Sequence, residues 1–163
     1  MTTVLLLSGP NLELLGQRQP EIYGTATLVE HVEAARRAGR RLGLVVQHRQ
    51  SDHEGELVEA VHAARGRVGA LVVNAGALSH TSWSLHDALA AFEGPVVELH
   101  LSNPAAREPF RHTSVLAPVA DGSIAGFGGT GYVLAMEAVA RLLGGEHAER
   151  AGDGPPRDED AAS

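Results

Sequence analysis

The sequence predicts an α/β protein in which a five-stranded parallel sheet is wound on both faces by helices to give three layers. Three observations predict it: apolar runs of about four residues recur along the chain, segments with apolar residues at helical spacing stand between them, and the connections are short. With 163 residues, 44% of them apolar, the chain can close one core of ordinary size.

The elements follow in order. Thr3 to Leu7 is apolar and stops at Ser-Gly-Pro, as a strand buried on both faces would. Thr27 and Glu30 have capping-box spacing, and Leu28, Val32, Ala35, Ala38 and Leu42 keep a helical period up to Gly43. Leu44 to Gln47 reads as the second strand. Ser51 to Glu54 reads as a second capping box, with Leu57, Val58, Val61 and His62 on the face of the helix it would start. Strands then follow at Ala70 to Val73 and Val96 to Leu99, on either side of a helix from about Ser82 to Phe92. A weak strand at Ser123 to Ala125 and a helix from about Thr130 to Leu143 close the pattern. This order is that of a flavodoxin-like doubly wound sheet, where ligands bind outside the carboxyl ends of the strands.

Composition removes several chemistries. There is no Cys, which excludes disulfides, thiolate nucleophiles and cysteine-based metal sites. All 13 basic residues are Arg, so no lysine is present to form an imine or to serve a phosphate loop. The formal charge of −7 argues against nonspecific nucleic-acid binding. No apolar run approaches the roughly 20 residues that span a bilayer, and no basic segment precedes a long apolar one at the N-terminus, so a soluble cytoplasmic protein is expected. Residues 1 to 143 are expected to form the flavodoxin-like domain. Residues 144 to 163 read as a disordered acidic tail, too poor in large apolar residues to offset its ordering entropy.

Polar residues collect at the predicted strand ends. Asn11, Arg18 and Tyr23 lie in the loop SGPNLELLGQRQPEIYG (8–24), which lacks the Lys and glycine spacing of a phosphate cradle. Asn74 and His80 follow the third strand, and Glu98, His100, Ser102 and Asn103 lie on or after the fourth. Glu98 and His100 are two apart, so on a strand they share a face, where the carboxylate can orient the imidazole and favour its charged form. Two ionisable groups in a central strand are costly to bury unless paired.

Blander readings stand beside these. Asn11 and Asn74 are also turn residues by type, and Tyr23 is a packed aromatic by default. Arg107 and Arg111 would share a helix face, either as solvated surface or as a clamp for an anion or polyol. A metal site drawn from His80, His86, Glu98 and His100 is a rival, but no two histidines have the HxxxH or HExxH spacing. His31, His48, His53, His62, His112 and His147 read as surface or core-edge residues.

The strings GPNLELLGQRQPEIYG (9–24), RQSDHEGELVEAVH (49–62), NAGALSHTSWSLHDAL (74–89), VVELHLSNPAAREPFRHTS (96–114) and GFGGTGYVLAMEAV (126–139), in this order, resemble type II 3-dehydroquinate dehydratases over the chain up to about Leu143. The resemblance implies a flavodoxin-like subunit that converts 3-dehydroquinate to 3-dehydroshikimate through an enolate, in the shikimate or quinate pathway, with no metal and no organic cofactor. The absence of lysine agrees, because the unrelated type I enzymes work through a lysine imine.

By the same resemblance Tyr23 takes the proton next to the ketone and His100 protonates the departing hydroxyl. Arg18 stabilises the tyrosinate, Asn11 positions a water against the enolate, and Glu98 keeps His100 protonated. Asn74, Leu101 and Ser102 hold the substrate carboxylate, the last two through backbone amides, and His80, Asp87 and Arg111 bind its hydroxyls. The opening loop becomes a lid. A free tyrosine is mostly neutral at pH 7, a deficit of roughly 4 kcal/mol for a base, which an adjacent guanidinium would offset. The family's assembly implies a homododecamer of four trimers, with Asp87 reaching a neighbour's site. Gln19, Ala60 and Pro104 depart from the usual family pattern. Two other classes stay open: a catalytically silent binding domain that keeps the polyol-acid pocket, and a metal hydrolase.

Overall fold

A computed structural model of the chain describes residues 1–145. The tail reading at 146–163, with His147, lies outside these residues. The elements run β1 (Thr2–Ser8), a 3-10 turn at Leu12–Leu14, α1 (Pro20–Tyr23), α2 (Leu28–Arg41), β2 (Leu44–Gln50), α3 (Glu54–Ala64), β3 (Ala70–Asn74) and a 3-10 turn at Gly76–His80. They continue with α4 (Trp83–Ala90), β4 (Val96–His100), 3-10 turns at Pro104–Ala106, Pro109–Arg111 and Ala117–Val119, β5 (Gly122–Ala125) and α5 (Thr130–Leu143). The strands form one parallel sheet in the order β2-β1-β3-β4-β5, the flavodoxin-like arrangement expected from the alternation.

Strand alternation divides the core into two layers. Val4, Leu6, Val72, Val97 and Leu99 point toward α2 and α5, whereas Leu5, Leu7, Leu71, Val73 and Val96 point toward α3 and α4. Each half is a dry cluster, so truncating a fully buried leucine such as Leu6 to Ala is expected to cost about 2 to 5 kcal/mol. Glu98 and His100 fall on the same face of β4, as their spacing requires.

Helix starts show where local chemistry decided and where it did not. At α2 both bonds of the capping box are present: the Thr27 hydroxyl accepts from the Glu30 amide and the Glu30 carboxylate accepts from the Thr27 amide. The second predicted box does not form. Helix α3 starts two residues later with His53 as its N-cap, because Ser51 is drawn to the end of β2, where its hydroxyl accepts from the His53 amide and donates to Glu56. The helix predicted to carry both Arg107 and Arg111 is also absent. Pro104 and Pro109 each open a separate 3-10 turn instead, so proximity of the two arginines is not set by helical spacing.

His31 is not at the core edge but inside it, stacked on Tyr132 with ring centroids 5.0 Å apart, and its Nε2 has no hydrogen-bond partner among the described residues. Burial lowers its pKa below the ordinary value of 6.5, partly opposed by Glu30, and burial followed by Arg36 does the same for His48. Both rings are therefore neutral in the fold while the unfolded chain takes up protons near pH 6.5. The unfolded state is the more protonated one below that point, so stability is full above about pH 6.5 and falls as pH drops. The melting temperature is expected to fall between pH 7 and 5.5, and to fall less in His31→Leu. Equal slopes in a calorimetric pH series would contradict a neutral buried His31.

Candidate active site

The carboxyl ends of β1, β3 and β4 open into one cavity, and the loop after β1 covers it. Loop and sheet meet closely at the start: the Gly9 amide donates to the Asn74 carbonyl at 2.8 Å, and a Cβ on Gly9 would lie 2.4 Å from the Ala75 carbonyl oxygen. Only glycine allows that approach. Asn11 follows with φ +67°, and its amide donates to Asp52 Oδ1 at 2.9 Å. Gln50 Nε2 donates to the Gly9 carbonyl and to the carboxylates of Glu13 and Asp52, so the end of β2 braces the loop that carries Asn11.

Beyond Gly16 the chain makes the single helical turn α1, started by Pro20, and this turn carries Tyr23 onto the cavity wall beside Arg18. The Arg18 guanidinium carbon lies 5.5 Å from the centroid of the Tyr23 ring, over its face. The group at the hydroxyl itself is Arg107, whose Nη1 donates to the Tyr23 oxygen at 2.7 Å and to Ser102 Oγ at 3.4 Å. His112 holds the Arg107 backbone, since its Nε2 donates to the Arg107 carbonyl at 2.8 Å.

Across the cavity stand His100 and Glu98. His100 Nε2 is 3.3 Å from Glu98 Oε1, and Glu98 is 3% exposed. Burial works against the charge on Glu98, but hydrogen bonds from His100 and Ser114, the charge of His100 and a further bond from Ser123 outweigh it and hold the carboxyl below its usual range. Ser114 Oγ donates to Glu98 Oε2 and is itself fixed by the amides of Leu116 and Ala117. Ser123 Oγ, opposite Glu98 in the sheet register, donates to the other oxygen at 3.3 Å. An ionised carboxylate only accepts, so Nε2 of His100 carries a proton and Nδ1 is left for a ligand.

His80 lies beside His100, with ring centroids 6.3 Å apart. Its Nδ1 is 2.8 Å from the Thr113 carbonyl; a carbonyl cannot donate, so Nδ1 carries the proton and Nε2 of a neutral ring can accept. Asn74, Leu101, Ser102 and Arg111 complete the wall. Arg111 is anchored by its Nε on Glu108 at 2.6 Å. Asp87 is the predicted residue that the structure does not bring here: on α4 its side chain is 82% exposed and, among the described residues, pairs with His86 at 3.0 Å. Among the described residues no three His, Asp or Glu side chains gather as a metal-holding group.

Sequence reasoning offered Arg107 as solvated surface or a clamp but not as the partner of the Tyr23 hydroxyl, and it missed Ser114 and Ser123. Their partners lie 84, 16 and 25 residues away in the chain, and no local spacing encodes such contacts. The one available signal was the position of Arg107 and Ser114 in the long segment after β4, at the end of the sheet where the site sits.

Residues 2–140 match the sequence model of the family described as Dehydroquinase class II. The chain is 55% identical over 148 residues to the 3-dehydroquinate dehydratase of Ruegeria pomeroyi, covering 91% of this chain and 99% of that protein. It is 52% identical over 138 residues to 3-dehydroquinate dehydratase 2 of Pseudomonas aeruginosa, covering 85% and 93%. Among solved structures, the type II dehydroquinase of Propionibacterium acnes superposes with a TM-score of 0.83 at 42% identity, over 86% of this chain and 97% of that one. The fold, the site at the strand ends and these similarities agree, and the chain belongs to the class II dehydroquinase family.

Proposed function

We propose that this protein is a hydro-lyase that dehydrates 3-dehydroquinate to 3-dehydroshikimate, in the shikimate or quinate pathway, without a metal or organic cofactor. The observation that carries the reading is the pair of opposed groups in one cavity: a tyrosine oxygen held at 2.7 Å by Arg107, and an imidazole held at 3.3 Å by a buried carboxylate. One suits a base that works as an anion, the other an acid that works as a cation.

The chemistry follows from these groups. The Tyr23 phenolate takes a proton from the carbon next to the ketone, and the electron pair moves into an enolate. A positive charge beside the phenolate favours it over the neutral phenol. Arg107 at the hydroxyl and Arg18 over the ring face both supply such a charge. Asn11, at the mouth of the strand ends, positions a water as donor to the enolate oxygen. The enolate then collapses, the bond to the β-hydroxyl breaks, and His100 delivers a proton from Nδ1 so that water leaves. Glu98 holds the ring at Nε2 throughout, as imidazolium before the transfer and as neutral imidazole after it. The cycle closes when the tyrosine proton returns to His100 through water.

Binding divides among the remaining residues. Asn74 and the backbone amides of Leu101 and Ser102 take the substrate carboxylate; His80 and Arg111 take its hydroxyls. Asp87 serves the cavity of a neighbouring subunit in a homododecamer built of trimers, which accords with its exposure and its distance from its own cavity. Light scattering is expected to give the mass of twelve chains, and a monomer would contradict the assembly. The cytoplasm is the expected location; among the described residues no helix is long and apolar enough to cross a membrane.

One assay tests the reading. Purified protein mixed with 3-dehydroquinate and a chelator should produce the absorbance of a conjugated enone. Binding without an absorbance rise would leave a silent binding domain, and loss of turnover on chelation would point to a metal.

A further inference from the structure

Asn74 closes β3 and lines the cavity; it is 3% exposed, and each end of its amide has one partner in the protein. Its Oδ1 accepts the Gly76 amide at 3.3 Å. Because that donor can only meet an oxygen, the orientation of the amide is settled, and Nδ2 lies toward Tyr132, donating one N–H to the phenol oxygen at 3.4 Å. The second N–H of Nδ2 is the donor left for a ligand. If the amide turned over, an oxygen would replace that donor, and a carboxylate would meet a lone pair.

The partner of Nδ2 belongs to α5, in the helical layer that covers this face of the sheet, and is built to stay in place. Tyr132 is fully buried, and burial pushes its phenol up to about 12, so it stays neutral. The His31 ring lies parallel to it within 1°. Gly129 in turn lies against His31, where a Cβ would come within 2.7 Å of Cε1. His31 of α2, itself backed by Gly129, thus holds the Tyr132 ring, and the hydroxyl on that ring meets a residue of the cavity.

We propose that Tyr132 is a positioning residue: with the amide orientation set by Gly76, its hydroxyl holds the Nδ2 end of Asn74 in place, so that the second N–H stays aimed at the cavity for the anionic end of the substrate. The inference rests on the function proposed above and deepens it. At 3.4 Å the bond is long, so its effect is directional, and removing the hydroxyl alone should weaken binding without touching the base or the acid.

The test is a double-mutant cycle. Tyr132→Phe is expected to raise KM about fivefold to tenfold, with kcat within twofold and an unchanged pH profile of kcat. In an Asn74→Ala background the same change should leave KM unaltered. An equal rise in both backgrounds, or a fall in kcat at constant KM, would overturn the proposal. A second measurement needs no turnover: the side-chain amide protons of Asn74, followed by NMR, should exchange with solvent faster in Tyr132→Phe than in the parent. Unchanged exchange would overturn the pairing even if the dehydratase activity stood, and faster exchange in a protein that turned over no substrate would place the failure in the function instead.

Discussion

Tyr23→Phe is expected to lower kcat for 3-dehydroquinate by about a thousandfold, the middle of the range for removing a general base, while the melting temperature stays close to that of the parent. The change deletes one oxygen. Tyr23 is only half-buried, on the short helical turn α1, so its ring can keep its place between Arg18 and Arg107 without that oxygen. Arg107 loses an acceptor but keeps Ser102 and lies 3.9 Å from the Glu108 carboxylate. KM should move little, since the phenol works on the proton and not on the carboxylate. Steady-state kinetics and a melting curve check both halves, and near-parent turnover would remove Tyr23 from the chemistry.

Glu98→Gln is expected to lower kcat by about a hundredfold with KM nearly constant. A neutral amide can still meet His100 and Ser123, but it no longer supports a positive imidazole. The effect should therefore fall on the acid step and not on binding. The same substitution should change the response to acid. Glu98 in the fold titrates below the ordinary value of 4.5, so its stabilising contribution is complete above about pH 4.5 and is lost as pH falls through the lower folded value. In Glu98→Gln the acid limb of the melting temperature should be shallower. A purely structural role would shift stability with kcat unchanged.

Much of the architecture was legible because local chemistry and tertiary structure agreed. Thr27 and Glu30 cap α2 as their spacing requires, the apolar runs are the strands, and the two-residue spacing of Glu98 and His100 places them on one face. Failures arose where a residue had a stronger partner far away. Ser51 was spaced to cap a helix but serves His53 and Glu56 at the end of β2. Arg107 and Arg111 were spaced for one helix, but Pro104 and Pro109 impose separate turns, and the turns aim both arginines into the cavity. His31 carries the polarity of a surface residue and sits against Tyr132 inside the core.

The site was legible in a different way. Family resemblance picked out Tyr23, His100, Arg18 and the other candidate residues that line the cavity from whole strings, where spacing alone left Asn11, Asn74 and Tyr23 as ordinary turn or packing residues. What neither string nor spacing conveyed was the ring of supports: Arg107 on the tyrosine oxygen, and Ser114 and Ser123 on Glu98. These contacts join the segment after β4 to the opening loop and β5 to β4, and they exist only once the sheet order is known.

The division of labour between Tyr23 and His100 is tested most directly by proton NMR of 3-dehydroquinate in deuterated water with the His100→Ala variant. A base that works ahead of the acid should exchange the proton next to the ketone for deuterium faster than in a protein-free control, while little 3-dehydroshikimate forms; Tyr23→Phe should do neither. No exchange above the control with His100→Ala, or exchange that survives in Tyr23→Phe, would contradict the assignment.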